Sequence, residues 1–152
     1  IGGVFDMFDG TLARATGKVS PLGAFMDSVF DRWGEAIVYL GIVVGGVQAG
    51  SDLVPTLAAA ALGAAFMVSY TRAKSEGLGF TAGTGMAAIG VMPREIRLVI
   101  LSLGLVVAGI GGNLVVLQIA LAIIAIGATI TVIQRILHVR SQARSAATTS
   151  IE

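Results

Sequence analysis

The sequence predicts an all-α protein, a polytopic bundle of transmembrane helices. Its 152 residues are 55% hydrophobic and 12% charged, and that charged share is about half of what a soluble globular domain carries. The apolar residues fall in runs long enough to cross a bilayer, broken by clusters rich in Gly, Pro, Ser and Asn. The basic residues gather at alternate ends of those runs. The same observations exclude other classes. The 10 basic residues form no stripe, so nucleic acid is not a partner. With no cysteine there is neither a disulfide nor a thiolate metal site. A metal ion must be held by oxygen ligands or by His138.

Taken in order, Ile1 to about Thr16 reads as the last turns of one span, and Gly17–Pro21 as a turn. A long helical segment runs from Leu22 to about Gly50; at about 1.5 Å per residue it can cross the hydrocarbon and project beyond it. Gly50-Ser51-Asp52 breaks the chain, and Pro55 suits an early helical position. Leu53 to about Gly77 is the next span, rich in small residues that let helices approach closely. A glycine-rich loop covers roughly Leu78 to Met92, and Pro93 opens a span to about Ile110. Gly111-Gly112-Asn113 turns the chain into a last span, Leu114 to about Val139. From Arg140 the composition is polar and reads as a frayed tail. The expected division is one membrane domain over 1–145 and a polar tail over 146–152.

With spans alternating in direction, all the basic residues fall on one side, and the turns around Asp52 and Gly112 carry none. By the positive-inside rule that side is cytoplasmic. Four aspartates lie there too. Asp6 and Asp9 are three apart, and Asp27 and Asp31 four apart, spacings that put side chains on one helical face. An aspartate within a span costs about 2.5–3.5 kcal/mol on insertion scales, and four together repel one another. Such a cluster persists if hard divalent ions, Mg²⁺ or Mn²⁺, neutralise it. Two ions about 3.5–4 Å apart can clamp a diphosphate as a P–O bond breaks. The competing reading is a set of buried ion pairs with Arg14 and Arg32. Glu35, one turn past Asp31, reads first as a partner for Arg32 and second as support for the metal ligands.

The spacing D-x2-D-G-x2-A-R-x8-G-x3-D-x3-D, from Asp6 to Asp31, resembles the signature of the CDP-alcohol phosphotransferases. These are integral membrane enzymes that move a phosphate-linked alcohol from a CDP-alcohol to an acceptor hydroxyl and release CMP. The resemblance implies a six-span fold, with the first span and part of the second preceding Ile1. It implies Asp6, Asp9, Asp27 and Asp31 as metal ligands, with Asp31 also the general base on the acceptor. Gly10 would let the backbone approach the nucleotide, Ala13 would keep the pocket open, and Arg14 would pair with the diphosphate. Ser20 and Gly23 would lie against the cytidine. It also implies a homodimer.

A second set of cations, Arg72, Lys74, Arg94, Arg97 and Arg135, ends or begins three later spans at the same mouth. Several cations in one pocket need an anion, which points to an acceptor that itself carries a phosphate. Arg94, Arg140 and Arg144 read instead as snorkelling interface residues. The phrases SYTRAKSEGLG, RLVIL and VIQR resemble the phosphatidylinositol-phosphate synthases of actinobacteria and related archaeal enzymes. There, basic residues matching Arg72, Arg97 and Arg135 bind the phosphate of inositol phosphate. The sequence departs from that pattern in the apolar, glycine-rich stretch from Phe80 to Met92 and in the PREI before Arg97.

The resulting expectation is transfer of a phosphatidyl group from CDP-diacylglycerol, or another CDP-alcohol, to inositol phosphate, with glycerol phosphate or another alcohol as the alternative acceptor. Two other classes compete. A divalent-cation transporter accounts for the acids but not for Gly10, Arg14 and Gly23 at fixed offsets. An inactive assembly protein has no need of an intact signature. His138 reads as an interface histidine rather than a ligand, and Gly41, Gly45 and Gly46 as seats for a neighbouring helix or a second protomer.

Overall fold

A computed structural model describes residues 20–80 and 89–149. Among those residues all regular structure is helical: α1 (Pro21–Gln48), α2 (Leu53–Gly77), α3 (Arg94–Gly111) and α4 (Leu114–Thr149). The chain divides into two compact units, Ile1–Ala36 and Ile37–Glu152.

In the first unit α1 starts at a side-chain cap. The Gly23 N–H donates to Ser20 Oγ at 3.0 Å, and the Ala24 N–H to the Ser20 carbonyl at 3.1 Å. Pro21 follows as the first helical residue, where its missing N–H is no loss.

In the second unit α1 ends at Gly50, whose φ of 69° few other residues adopt. The Ser51 N–H returns to the Gly46 carbonyl at 3.0 Å, and Ser51 Oγ accepts the Val54 N–H at 3.2 Å to start α2. Gly46 is the glycine that seats a neighbour: a Cβ there would lie 2.8 Å from Val54 Cγ1, whereas Gly41 and Gly45 face open space. Gly112, at φ 62°, closes α3, and Asn113 Oδ1 accepts the Val115 N–H at 2.9 Å to open α4.

The core lies where α4 packs on α2 and on α3. The buried stripe of α2, Val54, Ala58, Ala61, Ala65 and Val68, recurs every three or four residues. Its three alanines are fully enclosed, so backbones rather than bulky side chains set the separation of the helices. Gly104 does the same on α3, where an added Cβ would sit 2.7 Å from Ala120 Cβ of α4. Leu101, Leu117, Leu121 and Ile124 fill the space between.

Large apolar side chains also cover the outside, among them Leu103, Ile110 and Ile126. A water-soluble surface rarely carries so many; a lipid-facing one does. α2 and the Leu114–Ser145 part of α4 are long and apolar enough to cross a membrane, with mean hydropathy of 1.7 and 2.5. α1 carries Asp27, Asp31, Arg32 and Glu35 in its first half, and α3 carries Arg94, Glu95 and Arg97 in its first turn, which shortens their apolar runs.

Against expectation, α4 does not stop near Val139 but continues as helix to Thr149. The polar stretch contains Ala, Arg and Gln, good helix formers, and neither Gly nor Pro. Its own side chains bond along it: the His138 and Gln142 Nε2 atoms lie 2.9 Å apart, and Ser145 Oγ donates to the Ser141 carbonyl at 3.2 Å.

Candidate active site

Two groups of charge stand out, one in each unit. In the first, Asp27 and Asp31 lie one turn apart near the start of α1. Asp27 is exposed and Asp31 half-buried. Glu35, one turn further, is buried, and its Oε2 lies 2.7 Å from Arg32 Nη1. Glu35 is thus a partner of Arg32, the first of the two roles its spacing predicts. Ser20 and Gly23 also come together, through the cap that starts α1. Among the described residues no three His, Asp or Glu side chains gather around a common point. Asp6, Asp9, Gly10, Ala13 and Arg14 lie outside the described residues. Asp27 and Asp31 fit half of the expected metal site: two hard oxygen donors one turn apart on one helix, Asp27 exposed and Asp31 half-buried.

In the second unit, arginines from three helices meet. Arg72 is near the C-terminal end of α2, Arg97 in the first turn of α3, and Arg135 well along α4. Arg72, Arg97 and Glu76 are the charges that act on Arg135. Arg97 and Arg135 are almost wholly buried, at 1% and 4% exposure. Arg72 is open to solvent and pairs with Glu76, Nε to Oε1 at 2.9 Å. Among the described residues, Glu76 is the carboxylate that acts on Arg135 beside the two other guanidinium groups. A buried excess of charge is unfavourable unless polar groups or a counter-ion compensate it.

Backbone carbonyls supply part of that compensation. Arg135 donates from Nε to the Ile89 carbonyl at 3.0 Å and from Nη1 to the Val68 carbonyl of α2. Arg97 Nη1 donates to the Met92 carbonyl at 3.2 Å. Among the described residues Arg135 so uses two of its five N–H groups.

The acceptors Ile89 and Met92 belong to a short strap that leads into α3 and lies along α4. The Met92 N–H donates to Thr131 Oγ1 at 3.0 Å, and the Val91 N–H to Gln134 Oε1 at 3.2 Å. The motif reading passes over Thr131 and Gln134. The available signal was a hydroxyl and an amide inside an apolar helix, which persist there when they have hydrogen-bonding work to do. Beside Arg135, an open apolar cavity of about 190 Å³ lies between the last turns of α2 and Ile136 and Val139 of α4. The His138 ring lies against the Gln142 side chain.

Long apolar helices with large apolar side chains on their outer faces define a helical membrane protein. The family profile of the CDP-alcohol phosphatidyltransferases matches residues 1–133, and the chain belongs to that family. It is 41% identical over 101 residues to the archaetidylinositol phosphate synthase of Pyrococcus horikoshii, covering 66% of this chain and 49% of that protein. It is 33% identical over 106 residues to the phosphatidylinositol phosphate synthase of Cutibacterium acnes, covering 69% and 49%. The chain thus spans about half the length of these curated relatives. The fold superposes on the crystal structure of Mycobacterium tuberculosis phosphatidylinositol phosphate synthase with CDP-DAG bound. The TM-score is 0.78 at 27% identity, over 90% of this chain and 67% of that one. A second structure of the same enzyme, in complex with manganese and citrate, gives 0.76 at 27% identity, over 90% and 64%.

Proposed function

We propose that this protein acts in phospholipid biosynthesis, transferring a phosphatidyl or related group from a CDP-alcohol such as CDP-diacylglycerol to inositol phosphate, with release of CMP. The observation that carries the acceptor is the arginine group. Arg72, Arg97 and Arg135 come from three helices and lie far apart in sequence, yet Arg72 and Arg97 both act on the buried Arg135, with Glu76 the opposing carboxylate among the described residues. An acceptor phosphate brings negative charge to such a group, and guanidinium forks match its oxygens in pairs. The names of the relatives support the same acceptor class.

In the reaction, the acceptor hydroxyl oxygen forms a new bond to the lipid-bearing phosphorus. The bond from that phosphorus to the oxygen bridging to CMP breaks, and CMP leaves with the electron pair. Asp31 takes the hydroxyl proton, as a carboxylate beside the reacting centre can. Arg14 pairs with the diphosphate, and Gly10, Ala13, Ser20 and Gly23 line the nucleotide. Asp6, Asp9, Asp27 and Asp31 would hold Mg²⁺ or Mn²⁺. A bound divalent ion would offset the charge of the diphosphate, and the manganese in the related enzyme agrees with that choice. The site opens to the cytoplasmic face, the protein works as a homodimer, and the membrane domain covers 1–145 with a polar tail over 146–152.

The test is a screen of phosphorylated and free polyols for CMP release from CDP-diacylglycerol, with Mg²⁺ or Mn²⁺ present. Inositol phosphate should support turnover and free inositol should not. Turnover with glycerol phosphate alone would change the acceptor and keep the reaction. No CMP from any acceptor would overturn the reading.

A further inference from the structure

We propose that Thr131, helped by Gln134, is a positioning residue for the acceptor phosphate. It fixes the strap 89–92, whose carbonyl oxygens hold Arg97 and Arg135 in place. The inference rests on the reading of those arginines given above.

Thr131 is fully buried, at 0% exposure. Its hydroxyl works in both directions, accepting the Met92 N–H at 3.0 Å and donating to the Gly127 carbonyl at 2.9 Å. The strap is pressed onto it: Gly90 has a φ of 128°, and a Cβ at that residue would lie 2.2 Å from Thr131 Cγ2. Met92 is seated equally closely, since a Cβ on Gly127 would meet its Cε at 2.3 Å. Gln134 adds a second bond, to the Val91 N–H at 3.2 Å. Backbone fit and polar bonds from one face of α4 together fix three successive residues, Gly90 to Met92.

Both ends of that strap accept from the arginines, Ile89 from Arg135 at 3.0 Å and Met92 from Arg97 at 3.2 Å. This matters because the two guanidinium groups repel each other, and their long side chains have many rotamers. The carbonyl dipoles hold them together against that repulsion, so the pair is ready for a phosphate before it arrives. Without the Thr131 hydroxyl, the Met92 N–H is left buried with no acceptor. The strap then shifts, and both arginines shift with it.

The experiment compares Thr131→Val, which keeps the shape, with Thr131→Ser, which keeps the hydroxyl, in the full chain in detergent. CMP release is measured with inositol phosphate varied at saturating CDP-diacylglycerol, and then the reverse. Thr131→Val should raise the acceptor KM about tenfold and change kcat and the donor KM by less than about twofold. Thr131→Ser should return the acceptor KM to within about twofold of the parent. Hydrogen exchange at the Met92 amide should be faster in the valine variant alone. If Thr131→Val fails to fold, the half-buried Gln134→Leu gives the same readout with a smaller rise. An unchanged acceptor KM despite faster Met92 exchange, or equal losses toward both substrates, overturns the proposal. Arg97→Gln and Arg135→Gln are measured in parallel. If neither raises the acceptor KM, the phosphate reading itself fails and takes this inference with it. If both do and Thr131→Val does not, only the positioning role is lost.

Discussion

Asp27 and Asp31 stand on an accessible part of α1, spaced one turn apart, whereas Arg97 and Arg135 are buried and bonded to carbonyls from α2 and the strap. The two groups solve opposite problems. Carboxylates that keep contact with water, Asp27 fully and Asp31 in part, cost less to keep than buried charges, and a metal ion can order them when it binds. Buried guanidinium groups are costly to keep, and the fold must compensate them in advance. Changes to the acids should therefore act on chemistry and leave stability alone, whereas changes to the arginines should act on both.

The sharpest break of this contrast is chelation. Stripping divalent ions should abolish CMP release, with Mg²⁺ or Mn²⁺ restoring it; residual full activity in excess chelator would remove the metal from the account. Asp31→Asn comes next, with an expected loss of about 10²–10⁴-fold in turnover and an unchanged thermal midpoint in detergent. Should the asparagine variant keep full activity, Asp31 is not the base. Arg97→Gln should lower stability by about 1–3 kcal/mol as well as raising the acceptor KM, and unfolding followed by tryptophan fluorescence reads the first effect. Gly104→Ala probes packing alone: its methyl would crowd Ala120 and cost about 1–3 kcal/mol, with the acceptor KM unmoved once the protein is folded. The smallest effect belongs to Glu76→Gln. Its ion pair with Arg72 is open to solvent on both sides and is worth under about 1 kcal/mol. Removing this opposing carboxylate should still tighten acceptor binding by about twofold, and a weaker acceptor would argue that Glu76 supports the site.

Much of this was legible in the sequence because it is local. The turns at Gly50 and Gly112, the start of α2 at Leu53 and the i, i+4 placing of Asp27 and Asp31 follow from short-range rules, and the structure has them. The pairing of Arg32 with Glu35 follows from the same spacing. Ser20 before Pro21 is a helix-start signal, although the motif drew attention to a nucleotide contact instead. What was not legible is long-range. Met92 and Thr131 are 39 residues apart, and no periodicity links a loop amide to a hydroxyl in another helix. The end of α4 was misread for a different reason. Polar composition after Arg140 looked like a tail, but backbone propensity favours helix there and nothing in the sequence stops it.

That uninterrupted helix has a mechanical consequence. Its 36 residues reach about 54 Å at 1.5 Å per residue, well beyond a hydrocarbon core of about 30 Å. Between Arg135 and Thr149 there is no joint at which motion could be absorbed. A push or a tether on the outer turns, from a neighbouring protein or a lipid headgroup, is a lever arm on the Arg135 guanidinium, and through it on the strap beside it.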